Sequence, residues 1–343
     1  MLTAASLPLL ALSFVTPFLL MLAFTPPYLR LLVRRGKTVD DVHKQPASKV
    51  PSPVGPLIFA AAAAGEIVVY MAYGTLVPLA VLGATTVAFA IGLYDDLGVL
   101  GGKVKPFLLL FAFVPILAAL SSQPDLYQSK LFFPILGSTS AHFTIYTLLA
   151  VAAFPIVANA FNMMDSFNGE VSGFTVLVSF ALVIGVVLRS MAEPGFSAAR
   201  LAAALPLLAV SAGFYLFNRY PSRGFDGNSG SLVFGSMFAA LAITGGVEIA
   251  AIIAILPSIL NSFYTLSSLR GFVERRQMGS RPTFMSADGM LHASASPTAP
   301  STLVRLVLLP GPLSEKELVR NILLLTAASC LLSILTSILT WVH

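Results

Sequence analysis

HFTIYTLLAVAAFPIVANAFNMMDSFNGEVSGFTVLVSFALVIGVVLRS, residues 142–190, carries two long apolar runs around one short polar turn. Each run has the length of about 20 residues that a helix needs to cross a hydrocarbon core roughly 30 Å thick. Lipid offers no hydrogen-bond partner to an open strand edge, so both runs, 142–162 and 171–190, read as membrane-spanning helices. Working outward, similar runs fall at 6–29, 54–73, 76–94 and 105–121 before them, and at 200–218, 229–246, 248–267 and 319–341 after them. The eighth and ninth meet at Gly245-Gly246, a short turn. Composition agrees: 57% of residues are hydrophobic and 10% charged, against about a quarter charged in a soluble domain. The expected fold is an all-α polytopic membrane protein with about ten transmembrane helices.

Ten spans divide the loops between two faces. Every lysine and arginine lies on one face except Lys130, Arg189 and Arg200. Cytoplasmic loops carry the basic excess, so that face reads as cytoplasmic and both termini as extracytoplasmic. The apolar start, Met1 to Phe24, lacks the basic leader of a signal peptide and is long enough to span, so it reads as a retained first helix. No basic stripe interleaved with aromatics lies outside the spans, which argues against nucleic acid as a partner. Cys330 is the sole cysteine and sits in the last apolar run, so the chain has no intrachain disulfide and no cysteine-built metal site.

The acidic residues sort the same way. All but Glu66, Asp125, Glu193 and Glu248 share the cytoplasmic face. Carboxylates have little topological role, so this one-sidedness asks for a chemical reason. In IGLYDDLGVLGGKVKP, Asp95 and Asp96 end the third span and Lys105 opens the fourth. Two carboxylates at a helix C-terminus oppose the local dipole and call for a cation or a substrate proton beside them. In NAFNMMDSFNGEVSG, Asn159, Asn162, Asp165, Asn168 and Glu170 crowd one turn. If the helix continues, the first four follow one stripe, and their oxygens suit a hard cation such as Mg²⁺. FNRYPSRGFDGNSGSLVFG runs a Gly/Ser turn into the eighth span, where free N–H groups make an anion site. Residues 268–318 are the longest loop: Arg270, Arg275, Arg276 and Arg281 lead it, suited to anionic headgroups or to a diphosphate. Asp288-Gly289 then marks a hairpin turn. His43 reads as a solvated loop residue, and Glu66 as an intramembrane carboxylate without an obvious basic partner.

Taken in order, these loops resemble the polyprenyl-phosphate N-acetylhexosamine-1-phosphate transferases, over almost the whole chain from GKTVDDVHK to the last helix. YDD followed by Lys105, together with FNRYPSR and LNSFYTLSSL, looks like the eukaryotic and archaeal dolichyl-phosphate enzyme, whereas NMMDSFNG is nearer the bacterial pattern, with Ser166 where glycine is usual. The family's fourth-loop motif ends in Gly-Asp-x-Gly-Ser, and this chain has Gly227-Asn228-Ser229-Gly230-Ser231. The family's aspartate there ligates magnesium. An asparagine oxygen brings no charge, so affinity falls unless Asp226 or Asp165 compensates. The histidine-rich last loop of the bacterial pentapeptide transferases is replaced by arginines, which favours UDP-GlcNAc as donor.

The resemblance implies a single integral membrane catalytic domain over 1–343, with 268–318 as a cytoplasmic loop subdomain. It implies transfer of GlcNAc-1-phosphate from UDP-GlcNAc to a polyprenyl or dolichyl phosphate, with release of UMP, as the first membrane step of lipid-carrier glycan assembly. Asp95, Asp96 and Lys105 take catalytic positions, and Asn162 and Asn228 match the metal-contacting ones. Asn159, Asp165, Asn168, Phe225, Arg275, Arg276 and Arg281 fall to the nucleotide sugar, with Asn168 and Phe225 at the uracil. Mg²⁺ is the expected cofactor, with Mn²⁺ as a substitute, and a homodimer is compatible. An archaeal or bacterial source places the chain in the cell membrane, a eukaryotic one in the endoplasmic reticulum, with the active site cytoplasmic. Another UDP-N-acetylhexosamine or undecaprenyl phosphate is the alternative on the same scaffold. A secondary transporter, the rival class, would set its polar groups at mid-bilayer and show internal repeats, and neither is found.

Overall fold

A computed structural model describes residues 6–44, 48–123, 130–140, 142–271 and 280–341. Helix α1 (Ser6–Arg34) is joined to α2 (Gly55–Tyr73) through an antiparallel hairpin of β1 (Thr38–Asp41) and β2 (Ser48–Pro51). Gly74, at φ +65°, ends α2 in the left-handed conformation glycine adopts without strain, and α3 (Val77–Leu97) returns. After the short helices α4 (Val104–Leu109) and α5 (Val114–Ser122) come a hairpin of β3 (Lys130–Phe133) with β4 (Gly137–Ser140), then α6 (Phe143–Met164), α7 (Glu170–Ala192) and α8 (Ala198–Asn218). The chain finishes with α9 (Gly227–Gly245), α10 (Glu248–Ala254), α11 (Leu256–Leu269), the hairpin β5 (Thr283–Met285) and β6 (Leu291–Ala293), α12 (Leu303–Val307) and α13 (Glu315–Trp341).

Among the described residues seven helices are long and apolar enough to cross a bilayer: α1, α2, α3, α6, α7, α8 and α13. Apolar side chains such as Leu12 and Leu19 on α1 and Leu324 and Leu331 on α13 face outward, where lipid rather than water suits them. The chain is a multi-pass membrane protein. Two of the ten expected spans are interrupted. The run at 105–121 divides into α4, a 3₁₀ turn over Leu110–Phe113 and α5. Pro115 has no N–H for the Phe111 carbonyl, which takes the Val114 N–H instead. The run at 248–267 bends by 66° between α10 and α11, just before Pro257, so the pair counts as an eighth span only if taken as one. The eighth expected run is α9, and every residue from Ser229 to Gly245 is buried in protein. The expected Gly245-Gly246 turn and the hairpin at Asp288-Gly289 are both present, whereas the β1–β2 and β3–β4 hairpins went unforeseen.

α9 is the central post, packed by α2, α3, α6 and α8, with Phe161 meeting Phe238 and Phe174, and Phe214 meeting Phe234. Its first turn is pressed against backbone. A Cβ at Gly92 of α3 would lie 2.6 Å from both Asn228 O and Ser229 Cα, and one at Gly55 of α2 would lie 2.5 Å from Gly230 N. The described part of 268–318 is docked rather than separate: Leu303 N–H donates to Asn261 Oδ1 of α11 at 2.9 Å, and Leu291, Leu303 and Leu308 join the main core.

The ends of the helices differ in chemistry. At one end Arg189 is buried, donating to Gly245 O at 2.8 Å and lying over the rings of Phe132, Phe196 and Trp341, while Tyr146 donates to Glu248. At the other end the β1–β2 hairpin, the α6–α7 turn, the α8–α9 loop and the start of α13 converge. Because the neighbours of Gly92 are backbone and cannot swing away, Gly92→Ala should cost about 1–3 kcal/mol of stability, seen as a lowered apparent Tm in detergent. An unchanged Tm would show that α3 and α9 are not held this closely.

Candidate active site between α3, α6 and α9

Asp96 stands on the last turn of α3 and faces the first turn of α9. Its carboxylate accepts the Asn228 N–H at 2.8 Å, the Ser229 N–H at 2.9 Å, the Ser229 hydroxyl at 2.5 Å and the Asn228 side-chain amide at 3.2 Å. The anion site expected at the start of this helix is therefore filled by the chain's own carboxylate, because α3 brings Asp96 onto those N–H groups. Asp95, one residue earlier, caps Leu100 N–H at 2.8 Å and pairs with Lys105.

Lys105 also donates to Asn228 Oδ1 at 3.1 Å, and Asn162 of α6 donates its Nδ2 to the same oxygen at 2.9 Å and to Ser231 Oγ at 2.8 Å. Asp95, Asp96, Lys105, Asn162 and Asn228 thus form one connected cluster, in which the Asn228 side-chain amide meets Asp96, Lys105 and Asn162, and Asp95 joins through Lys105. Network logic fixes that amide: its oxygen faces two donors and its nitrogen an acceptor.

Two residues before Asn228, Asp226 is fully buried, and neither carboxylate oxygen meets a hydrogen-bond partner among the described residues. Burial first, then the neighbouring Asp165 carboxylate, hold the Asp226 carboxyl well above the usual range, and Asp96 adds to the effect. Asp165 reaches this place because α6 stops at Met164, so the conditional polar stripe ends at Asn162. Asn162 spends only its nitrogen on the cluster, which leaves Oδ1 outward of those bonds. Buried acidic oxygens without donors fit a hard divalent cation such as Mg²⁺ or Mn²⁺.

Asn168 goes elsewhere. It is buried, on the turn closed by Gly169 at φ +78°, and knits a second cluster. Its Nδ2 donates to Glu315 Oε1 at 2.6 Å and Asp41 Oδ2 at 3.1 Å, while its Oδ1 accepts Lys44 at 3.2 Å and the Ser222 N–H at 2.7 Å. Lys44 pairs with Asp41 at 2.5 Å, and His43 stacks on Phe167 rather than standing free in solvent. Asp41, His43 and Glu315 present ligand atoms within 4.8 Å of one another, yet protein donors already meet these carboxylates, apart from Glu315 Oε2. Burial raises the Asp41 pKa, but hydrogen bonds from Lys44 and Asn168 outweigh it and hold the carboxyl below its usual range.

Among the other expected residues, Phe225 is fixed by backbone bonds to Pro51 and Val54 and stays half-buried. Arg281 is exposed just before β5. Arg275 and Arg276 lie outside the described residues. Asn159 turns to another surface: it donates to Pro155 O at 2.7 Å and lines an apolar cavity of about 360 Å³ with Pro106, Phe107, Leu110, Ile156, Met163, Ser262 and Leu266. That cavity lies between the two proline-broken segments and begins one residue from Lys105 and one turn from Asn162. Sequence reading missed Glu315. A Ser-x-x-Glu capping box, Ser314 with Glu317, marks the start of α13 and leaves Glu315 free to turn inward.

The multi-pass membrane scaffold thus collects carboxylates, amides and a lysine at one end of its helices, near an apolar cavity. Residues 78–246 match the profile of Glycosyl transferase family 4. The matched residues run from the start of α3 to the end of α9 and so take in the whole cluster around Asn228. It is 27% identical over 255 residues to a protein of Sulfolobus acidocaldarius assigned as a UDP-N-acetylglucosamine–dolichyl-phosphate N-acetylglucosaminephosphotransferase, covering 73% of this chain and 75% of that one. The enzyme of that name from Dictyostelium discoideum is 26% identical over 262 residues, 68% of this chain and 62% of its own. A phospho-N-acetylmuramoyl-pentapeptide-transferase of Limosilactobacillus reuteri is 30% identical over 118 residues, 34% of this chain and 36% of its own.

Asn168→Ala removes the amide shared by two buried carboxylates and should cost about 1.5–3 kcal/mol, read as a fall in apparent Tm. Asp41 has a folded pKa below its unfolded one, so its contribution is complete at neutral pH and fades as pH falls through the acidic range. The Tm gap between the unsubstituted protein and Lys44→Ala should narrow on acidification; a gap constant down to pH 3 would contradict this.

Proposed function

We propose that this chain transfers GlcNAc-1-phosphate from UDP-GlcNAc to a dolichyl-type polyprenyl phosphate, releasing UMP. The observation that carries the reading is the junction of two environments: the charged cluster of Asp95, Lys105, Asn162 and Asn228 borders an apolar cavity at Pro106 and Asn159. A polyprenyl phosphate needs both, an apolar berth for its tail and a polar, cationic one for its head. The names of the relatives in Sulfolobus acidocaldarius and Dictyostelium discoideum support the donor and the acceptor.

In this reaction an oxygen of the lipid phosphate attacks the phosphorus that bears the sugar, and the bond from that phosphorus to the UMP oxygen breaks. A phosphomonoester has a second pKa of about 6, so the nucleophile is ionised near neutral pH and no strong base is required. Positioning and charge stabilisation supply most of the rate in such transfers. Lys105, oriented by Asp95 and Asn228, offers the positive charge for the transferring phosphate. Asp96, committed to α9, orients the cluster rather than accepting a proton. Bound Mg²⁺ or Mn²⁺ would supply neutralisation of the diphosphate, held by Asn162 and the neighbouring carboxylates. Phe225 and the arginines at 275, 276 and 281 serve the nucleotide sugar, and the basic bias of the loops supports a cytoplasmic site with ten spans and both termini outside.

Purified protein given UDP-GlcNAc, polyprenyl phosphate and Mg²⁺ should release UMP in step with lipid-linked GlcNAc-phosphate. Lys105→Ala should lower kcat/KM by about 100-fold or more, the usual cost of losing a charge on the transferring group. UMP-free incubations with every prenyl phosphate tried, together with substrate flux across liposomes, would replace this reading with a transporter.

A further inference from the structure

Asn228, at the centre of the cluster, has no lone pair to spare. Its Oδ1 receives Lys105 Nζ at 3.1 Å and Asn162 Nδ2 at 2.9 Å, and a carbonyl oxygen has two lone pairs. Its Nδ2 points to Asp96 at 3.2 Å. The amide is a bridge between two donors and a carboxylate, a role that a second carboxylate could not fill, since it would face Asp96 without a proton to give.

Asp226 has the opposite character. It is fully buried, both oxygens lack a hydrogen-bond partner among the described residues, and the nearby charged groups that act on it, Asp165 and Asp96, are also acidic. Its backbone is fixed: Asp226 O accepts Gly55 N–H at 2.9 Å, and its Cβ backs onto Gly230. A buried carboxylate set against a second one carries a desolvation and repulsion cost, which a proton shared between the two or a divalent cation held by both can offset.

We propose that Asp226, with Asp165 and the Asn162 oxygen, holds the divalent cation while Asn228 serves as a hydrogen-bond bridge. The site takes hard, oxygen-seeking ions, Mg²⁺ or Mn²⁺. This deepens the proposed function and rests on its metal, but it is separable from turnover because binding is measured without the reaction.

The test is Mn²⁺ titration of the purified full-length protein in detergent, following free Mn²⁺ by its paramagnetic resonance signal, with Mn²⁺ alone and with UMP added. Asp226→Asn should weaken Mn²⁺ binding by about tenfold or more, and Asn228→Ala by less than about threefold. Asp288→Asn, an exposed hairpin carboxylate removed as a charge-matched control, should leave it unchanged. In metal-free buffer Asp226→Asn should raise the apparent Tm, because it removes one of three mutually repelling acids; a residue with a merely structural role would lower it. Equal Mn²⁺ affinity in Asp226→Asn overturns the proposal and leaves a proton shared between Asp226 and Asp165 in its place. Loss of binding in Asn228→Ala as large as in Asp226→Asn also overturns it, as does an unsubstituted protein that binds no Mn²⁺ in either condition. If Asp226→Asn does not fold, Asp165→Asn takes its place with the same expectation.

Discussion

The last turn of α3 and the first turn of α9 meet with their helix dipoles opposed in sense. Two carboxylates at a helix C-terminus are unfavourable by themselves, since they add to the negative end of the dipole. Here the deficit is met twice. Asp96 receives the N–H groups at the positive end of α9, and Asp95 receives Lys105. Glycines at 55 and 92 let the backbones come close enough for those bonds. Each polar residue of the cluster is placed by that meeting: Asn228 because it is the second residue of α9, Lys105 because it is in the first turn of the helix after α3, and Asn162 because α6 packs against α9 as well.

Two polar centres result, with different economies. The cluster around Asn228 keeps unspent capacity, in the Asn162 oxygen and the Asp226 carboxylate. The cluster around Asn168 spends nearly all of its capacity internally and ties the β1–β2 hairpin to the α6–α7 turn, the α8–α9 loop and α13. The first is suited to binding and the second to holding the binding surfaces in register. Asn168 was expected at the uracil; its side-chain oxygen and nitrogen are already bonded within the protein, so its influence on a nucleotide would pass through the turn that it braces.

Much of the fold was legible because lipid imposes a length on apolar runs and leaves few alternatives for the backbone. Proline marked the exceptions. Pro115 and Pro257 break their runs, while Pro155 and Pro206 sit inside intact helices, and hydropathy does not distinguish these cases. Asp95, Asp96, Lys105, Asn162 and Asn228 were found from local chemistry, since each stands at a span boundary where a polar group requires a reason. Asp41, Lys44 and Glu315 were not, because their significance lies in contacts across more than 120 positions of chain that no local pattern announces. Asn159 shows the converse: its spacing from Asn162 grouped it with the polar residues, yet one turn of helix is enough to put it among apolar side chains.

The distance along the chain between Asp96 and its partners on α9, 132 positions, has a consequence for how the protein is made. During synthesis α3 enters the membrane long before α9 exists. Until then its two carboxylates have only water and, nine residues on, Lys105. They must stay hydrated at the bilayer surface, and this fixes the depth at which α3 halts. The arrival of α9 then converts a hydrated anchor into a half-buried joint, so the cluster around Asn228 closes only once the central post has been threaded between helices already in place.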